Sequence, residues 1–136
     1  MRIRPHHIRA ALRGFLELLE NSNDRSSLAL LEMWLGQLAF LQHFVGKMTE
    51  HAQGEDTAPA HAPTRWRALV IEQFPPLGEA GIPADDLAEI AAEISTCLQC
   101  WEQQGEQIGL WHFQIGYQLR WGTRLRNLQG YLHNIP

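Results

Sequence analysis

Five stretches of this chain place apolar residues three and four positions apart, the spacing that gathers them on one face of a helix. The first runs from about Pro5 to Glu20. Its stripe of Ile8, Leu12, Phe15, Leu16 and Leu19 is narrow, and proline suits a first helical position because its missing N–H costs nothing there. The second runs from about Ser27 to Met48, with Asp24 or Ser26 as its cap. Leu28, Leu31, Leu35, Leu38 and Val45 form one stripe; Met33, Phe40 and Phe44 form another, up to about half a turn away. So broad an apolar arc predicts neighbours on more than one side.

Thr49 to Pro63 is polar, holds Pro59 and Pro63, and shows no period, which predicts a mobile internal loop. Thr64 then caps a short helix that ends at Phe74, with Pro75-Pro76 as the stop. Within it, Ala68-Leu69-Val70-Ile71 also fits a strand, but no second strand is in sight to pair with it. Gly78 to Pro83 reads as a turn. The fourth helix spans about Asp85 to Gln104, with the stripe Leu87, Ile90, Ala91, Ile94, Leu98 and Trp101. Its Asp85, Asp86 and Glu89 lie where the helix dipole favours negative charge, and Gly105 ends it.

The fifth helix, about Glu106 to His133, is apolar over about two thirds of its circumference on a regular helical wheel. One flank carries Ile108, Trp111, Ile115, Leu119 and Gly122. The other carries Leu110, Phe113, Tyr117, Trp121, Leu128 and Leu132. Gly109, His112, Gly116 and Arg120 fall in the remaining polar sector. The pattern predicts an all-α bundle of four main helices plus one short helix, with the C-terminal helix central. A single domain over residues 1–136 is expected.

Composition supports a globular chain: 136 residues, 45% hydrophobic and 19% charged. A net charge of −4 argues against nucleic acid and acidic membranes as partners. The first fourteen residues carry charge where a signal peptide needs an apolar run. No apolar run is read as a membrane span, and the two cysteines point to a reducing compartment, so the expected location is the cytoplasm.

Candidate chemistry is sparse. Cys97-Leu98-Gln99-Cys100 lies late in a helix, where the dipole has the wrong sign for thiol activation, and no second pair exists for zinc. The seven histidines lack ligand spacing. Asp85, Asp86, Glu89 and Glu93 read as capping residues and a solvated acidic face. No metal, no cofactor and no catalytic motif is predicted. Arg65-Trp66-Arg67 and Arg120-Trp121-x-x-Arg124 interleave arginine with tryptophan, as phosphate- and base-binding surfaces do. Arginines that cover buried tryptophans look the same, and ten of the eleven basic residues here are arginine.

Asp85-Asp86-Leu87-Ala88-Glu89-Ile90 opens a helix. Trp111-x-Phe113 follows, then Arg120-Trp121-Gly122-x-x-Leu125 with Leu128 and Leu132-His133. This set resembles a bacterial domain-of-unknown-function family, whose members share a DDLADI helix start and a C-terminal HWG-x-H-L…AL-x-x-LH helix. The resemblance implies a helical fold in which Asp85-Asp86 and Trp121-Gly122 matter. Arg120 and Arg124 stand where that pattern has histidines, and Asn127 where it has a small apolar residue. A site built on those histidines would be missing from this chain.

Two functions follow as expectations. The first is a non-enzymatic domain for protein–protein contacts, with an unidentified protein or a second copy of the chain as partner and Met33, Phe40 and Phe44 as the seam. The second is a small-ligand or phosphate site built from Arg65, Trp66, Arg67, Arg120, Trp121 and Arg124.

Overall fold

Ile8, Leu12, Phe15, Leu16 and Leu19 are all buried, so the narrow first stripe is the packed face of α1 (Pro5–Glu20). The computed structural model describes residues 2–20, 28–49 and 64–134. The proposed caps Asp24 and Ser26, and residues 50–63 of the expected loop, lie outside the described residues. Thr49 lies within them. It is buried, its hydroxyl donates to the Val45 carbonyl at 3.1 Å, and it hydrogen-bonds the Gln114 side chain.

α2 (Leu28–Met48) buries Leu31, Leu35, Leu38, Leu41 and Val45 and packs on α1 and on the C-terminal helices. Gly14 of α1 lies under the Trp34 ring, where a β-carbon would collide. By length and composition alone α2 is long and apolar enough to cross a membrane, a test that the core helix of a soluble bundle also passes. One side of it is core.

α3 (Thr64–Gln73) is helical through Ala68–Ile71, and no strand occurs among the described residues. Pro75-Pro76 does not simply end it. The two prolines open a further short helix, α4 (Pro75–Ala80), and Pro83 likewise sits in the first turn of α5 (Ile82–Gln104). The expected turn at 78–83 shrinks to Gly81, whose φ of 77° suits only glycine. Prolines that looked like stops are starts, because a first helical turn needs no N–H from them.

The C-terminal column runs as α6 (Glu106–Gly116), a π-helical turn at Tyr117–Trp121, and α7 (Gly122–His133). In the π turn the Gly122 N–H reaches back five residues to the Tyr117 carbonyl. The extra residue rotates the nominal helical phase by about 100°. This corrects the wheel drawn from sequence. α6 buries Gly109, Leu110, His112, Phe113 and Gly116, whereas α7 buries Gly122, Leu125, Leu128 and Leu132. On a regular wheel these are two different faces; with the π turn they are one. The flank of Ile108, Trp111 and Ile115 is only half-buried, and Leu119 is 65% exposed. Gly109, His112 and Gly116, expected on the polar side, are core.

The bundle is all-α, and its centre is shared between this column and α5. Fourteen residues of α5 are buried, and it packs on α1, α3, α4, α6 and α7. Two glycines let the helices close. A β-carbon at Gly109 would stand 2.6 Å from the Trp101 ring; one at Gly116 would stand 3.0 Å from Trp121 Nε1 and 3.1 Å from a Glu93 oxygen.

Trp121 is 2% exposed and meets the edges of Phe113 and Tyr117 at 5.4 and 4.9 Å between centroids. Trp121→Ala should therefore cost about 3–5 kcal/mol in urea unfolding. A β-carbon at Gly122 would collide with the Tyr117 carbonyl that closes the π turn, whereas one at Gly130 meets nothing within 4 Å. Gly122→Ala should lower the melting temperature and Gly130→Ala should not, since a compatible alanine stiffens the unfolded chain. Equal melting of the two variants would contradict a π turn that depends on Gly122.

Candidate functional site

A groove opens between α3, α5 and the C-terminal column. Its larger part, a cavity of about 570 Å³, is lined by Thr64, Arg67, Ala68, Ile71, Asp85, Glu89 and Arg124. A smaller recess of about 210 Å³ continues it past Glu89 and Arg124 to Glu93, Arg120 and Trp121. On α5, residues 86, 89 and 93 share one face because they are three and four apart. On the column, Arg120 and Arg124 face them across the contact.

Each of the groove's arginines already holds a carboxylate. Arg120 forks onto Glu93, with Nε at 2.5 Å from one oxygen and Nη2 at 3.2 Å from the other. Arg124 donates to Asp86 at 3.0 Å, and Arg67 to Asp85 at 2.6 Å. The Glu93 and Asp86 carboxylates are buried, at 7% and 8% exposure. This corrects the expectation of a solvated acidic face. A buried carboxylate is tolerable only when paired, so the arginines are structural partners here. Burial pushes the Asp86 carboxyl above its ordinary value by more than the Arg124 hydrogen bond and charge pull it down. Glu89, half-buried between the two cavities, has no ion-pair partner among the described residues.

Of the six arginine and tryptophan candidates, the structure gathers Arg67, Arg120, Trp121 and Arg124. Arg65 and Trp66 are elsewhere. Trp66 is in the core, and Arg65 lies 4.4 Å over its ring while pairing with Glu20 at 2.7 Å. The arginine-covered-tryptophan reading is thus realised at Trp66. Cys97 and Cys100 are free and buried, and burial pushes the Cys97 thiol far above its ordinary range, with Cys100 and Glu93 adding to the effect. Its Sγ donates to the Gly109 carbonyl at 3.1 Å. No cluster of three potential metal ligands occurs among the described residues.

The second candidate is the outer side of α2. Met33 and Phe40 are 52% and 51% exposed, and Phe44 is half-buried with its ring edge-on to Phe40 at 5.1 Å. Beside them an apolar groove of about 400 Å³ runs between α1 and α2, floored by Ala11, Trp34 and Leu41 and rimmed by Ile3, His7 and Phe40. α3 does not cover this seam. It packs on α5, α4 and α1.

Fold and site together define an all-α bundle with a salt-bridged internal groove and one apolar outer face. The chain belongs to the family described as "Domain of unknown function (DUF5063)", whose sequence profile matches residues 69–136, half of its length. The matched span holds α4 to α7 and most of the ion-paired groove; α1 and α2 precede it. No curated protein and no solved structure matches the chain.

Removing one partner of the buried pair exposes its worth. Glu93→Ala should destabilise by about 3–5 kcal/mol, because it strips a partly buried guanidinium of its carboxylate. Asp86→Asn should behave oppositely. The folded chain holds the Asp86 proton more tightly than the unfolded one. Stability from this group is therefore full below its ordinary value of 3.8 and is lost as pH rises through the elevated folded value. The amide stays neutral, so Asp86→Asn should match or exceed the parent in thermal melts at pH 7 and should flatten the acid end of the profile. A loss at pH 7 as large as that of Glu93→Ala would contradict the assignment.

Proposed function

We propose that this chain is a non-catalytic helical interaction domain, and that the α2 face of Met33, Phe40 and Phe44 is where it docks protein. One observation carries the reading: two large apolar side chains stay half-exposed on a helix whose other side is fully buried, and α3, the short helix available to cover them, packs elsewhere. Contiguous exposed apolar surface on a folded domain usually marks an interaction site. The adjoining groove between α1 and α2 gives a partner side chain somewhere to insert, as the centres of stable interfaces require. Two free, buried thiols fit a reducing compartment such as the cytoplasm.

The groove of Arg67, Arg120, Trp121 and Arg124 is the seat of a second reading, a small-ligand or phosphate site. Its volume falls in the range of ligand pockets. Its charge weighs against phosphate. Asp85, Asp86, Glu89 and Glu93 face three arginines, each already engaged by a carboxylate, so an anion would have to displace one. Calorimetric titration with inorganic phosphate tests this reading.

The interaction reading is tested by replacing Phe40 with benzoylphenylalanine and irradiating cells of the source organism. Protein adducts should form at position 40, should be absent when the label stands at exposed Gln118, and should disappear with Phe44→Glu. Absence of any protein adduct at position 40 would overturn it.

A further inference from the structure

The α2 face carries unlike charges at its two ends. Glu32 lies in its first half; Lys47, the one lysine of the chain, lies in its last turn. Both are exposed, and neither meets a counter-ion among the described residues. At about 100° per residue, Glu32 and Lys47 fall on the same flank of the face, about 60° apart. Met33 and Phe44 fall on the other flank, about 20° apart, with Phe40 between the flanks. The midpoint of Glu32 and Lys47 lies between residues 39 and 40, and that of Met33 and Phe44 between 38 and 39. The two centres are thus about 1.5 Å apart along the axis. Charges and apolar side chains share one centre of symmetry, next to Phe40.

The geometry points to a second copy of the chain as the occupant of this face, with α2 packed antiparallel on α2 across a two-fold axis beside Phe40. This inference rests on the reading of α2 as the docking face. When two helices pack antiparallel about such an axis, each flank meets the same flank of the other. Glu32 then stands across from the partner's Lys47, and Lys47 across from the partner's Glu32. Met33 and Phe44 meet in the same reciprocal way. A parallel two-fold would set each flank against the opposite one and lay Glu32 and Lys47 over Met33 and Phe44. Closed two-fold symmetry requires reciprocal contacts, and this face supplies them in one register only. Gly36 lies on the charged flank with nothing within 4 Å of where its β-carbon would be, which permits close approach of the second helix. Exposed ion pairs add little affinity, so the apolar side chains hold the pair while Glu32 and Lys47 set its direction.

Charge exchange tests the register. Glu32→Lys, Lys47→Glu, the double exchange and an equimolar mixture of the two single variants are compared with the parent by sedimentation equilibrium at low salt. Circular dichroism checks that each is folded. The parent should be a dimer at tens of micromolar. Each single reversal should weaken dimerisation at least tenfold, because it places like charges at both ends. The double exchange should restore it. The mixture should form a heterodimer, since the face of one variant then carries two lysines and the face of the other two glutamates. A monomeric parent, indifference to single reversal, or failure of the double exchange to rescue would each overturn the inference. If the parent is monomeric while position 40 still crosslinks to a different protein, the second copy is wrong and the docking face stands. Flotation of the monomer with anionic vesicles would assign the face to lipid instead. If no adduct forms at all, both fall.

Discussion

A side chain at position 109 or 116 would wedge the C-terminal column away from α5, and nearly everything else in the molecule depends on that contact staying closed. Gly109 lets the Trp101 ring lie on the backbone, and Gly116 leaves room for Trp121 and Glu93. With the helices this close, the α5 carboxylates at 86 and 93 come out of water. Dry carboxylates demand counter-charges. Arg120, within the π turn, and Arg124, one turn later, supply them, while Trp121 stays buried beside Phe113. Steric closeness, desolvation and the irregular turn are therefore one arrangement.

The same arrangement separates the two candidate surfaces. Inside the groove every arginine is engaged by a carboxylate, and Glu89 leaves the wall one negative charge in excess. The outer face of α2 is the reverse. Met33 and Phe40 stay half-exposed, and among the described residues Glu32 and Lys47 meet no counter-ion. α2 has the length and composition of a membrane-crossing segment, yet it spends only one side on the core. What remains is surface held in a fixed geometry by the packing beneath it, which is what recognition of a partner needs.

Much of this was legible in the residues. The stripe of α1, the leucines of α2 and the run from Leu87 to Trp101 have one period and one buried face, and a period is what a linear reading detects. Proline misled at 75–76 and at 83, where the first turn of a helix and its end share the same residue. The C-terminal column misled more. Its apparent two-thirds apolar circumference was two narrower faces superposed across a π turn, and a wheel of constant pitch cannot distinguish them. The clue was present: the small residues Gly109 and Gly116 set one phase, and Leu125, Leu128 and Leu132 set another. At the candidate site, Arg120, Trp121 and Arg124 were recognised, but their carboxylate partners were read as solvated. Asp86 and Glu93 lie about thirty residues upstream, and only the helix packing reveals that pairing. Arg65 and Trp66 shared a motif with Arg67 but not a location, because neighbours on a helix point about 100° apart.

The π turn also means that the column tolerates change of identity far better than change of length. Leu119 is mostly in solvent, so almost any residue could stand there. Deleting it would remove no core atom, yet it would let the column relax into a regular α-helix. Leu125, Leu128 and Leu132 would then swing about 100° away from the interior. A single codon lost at an exposed position would thus unseat an entire helix, and the spacing between Gly116 and Gly122 is a stricter requirement on the chain than most of the residues it contains.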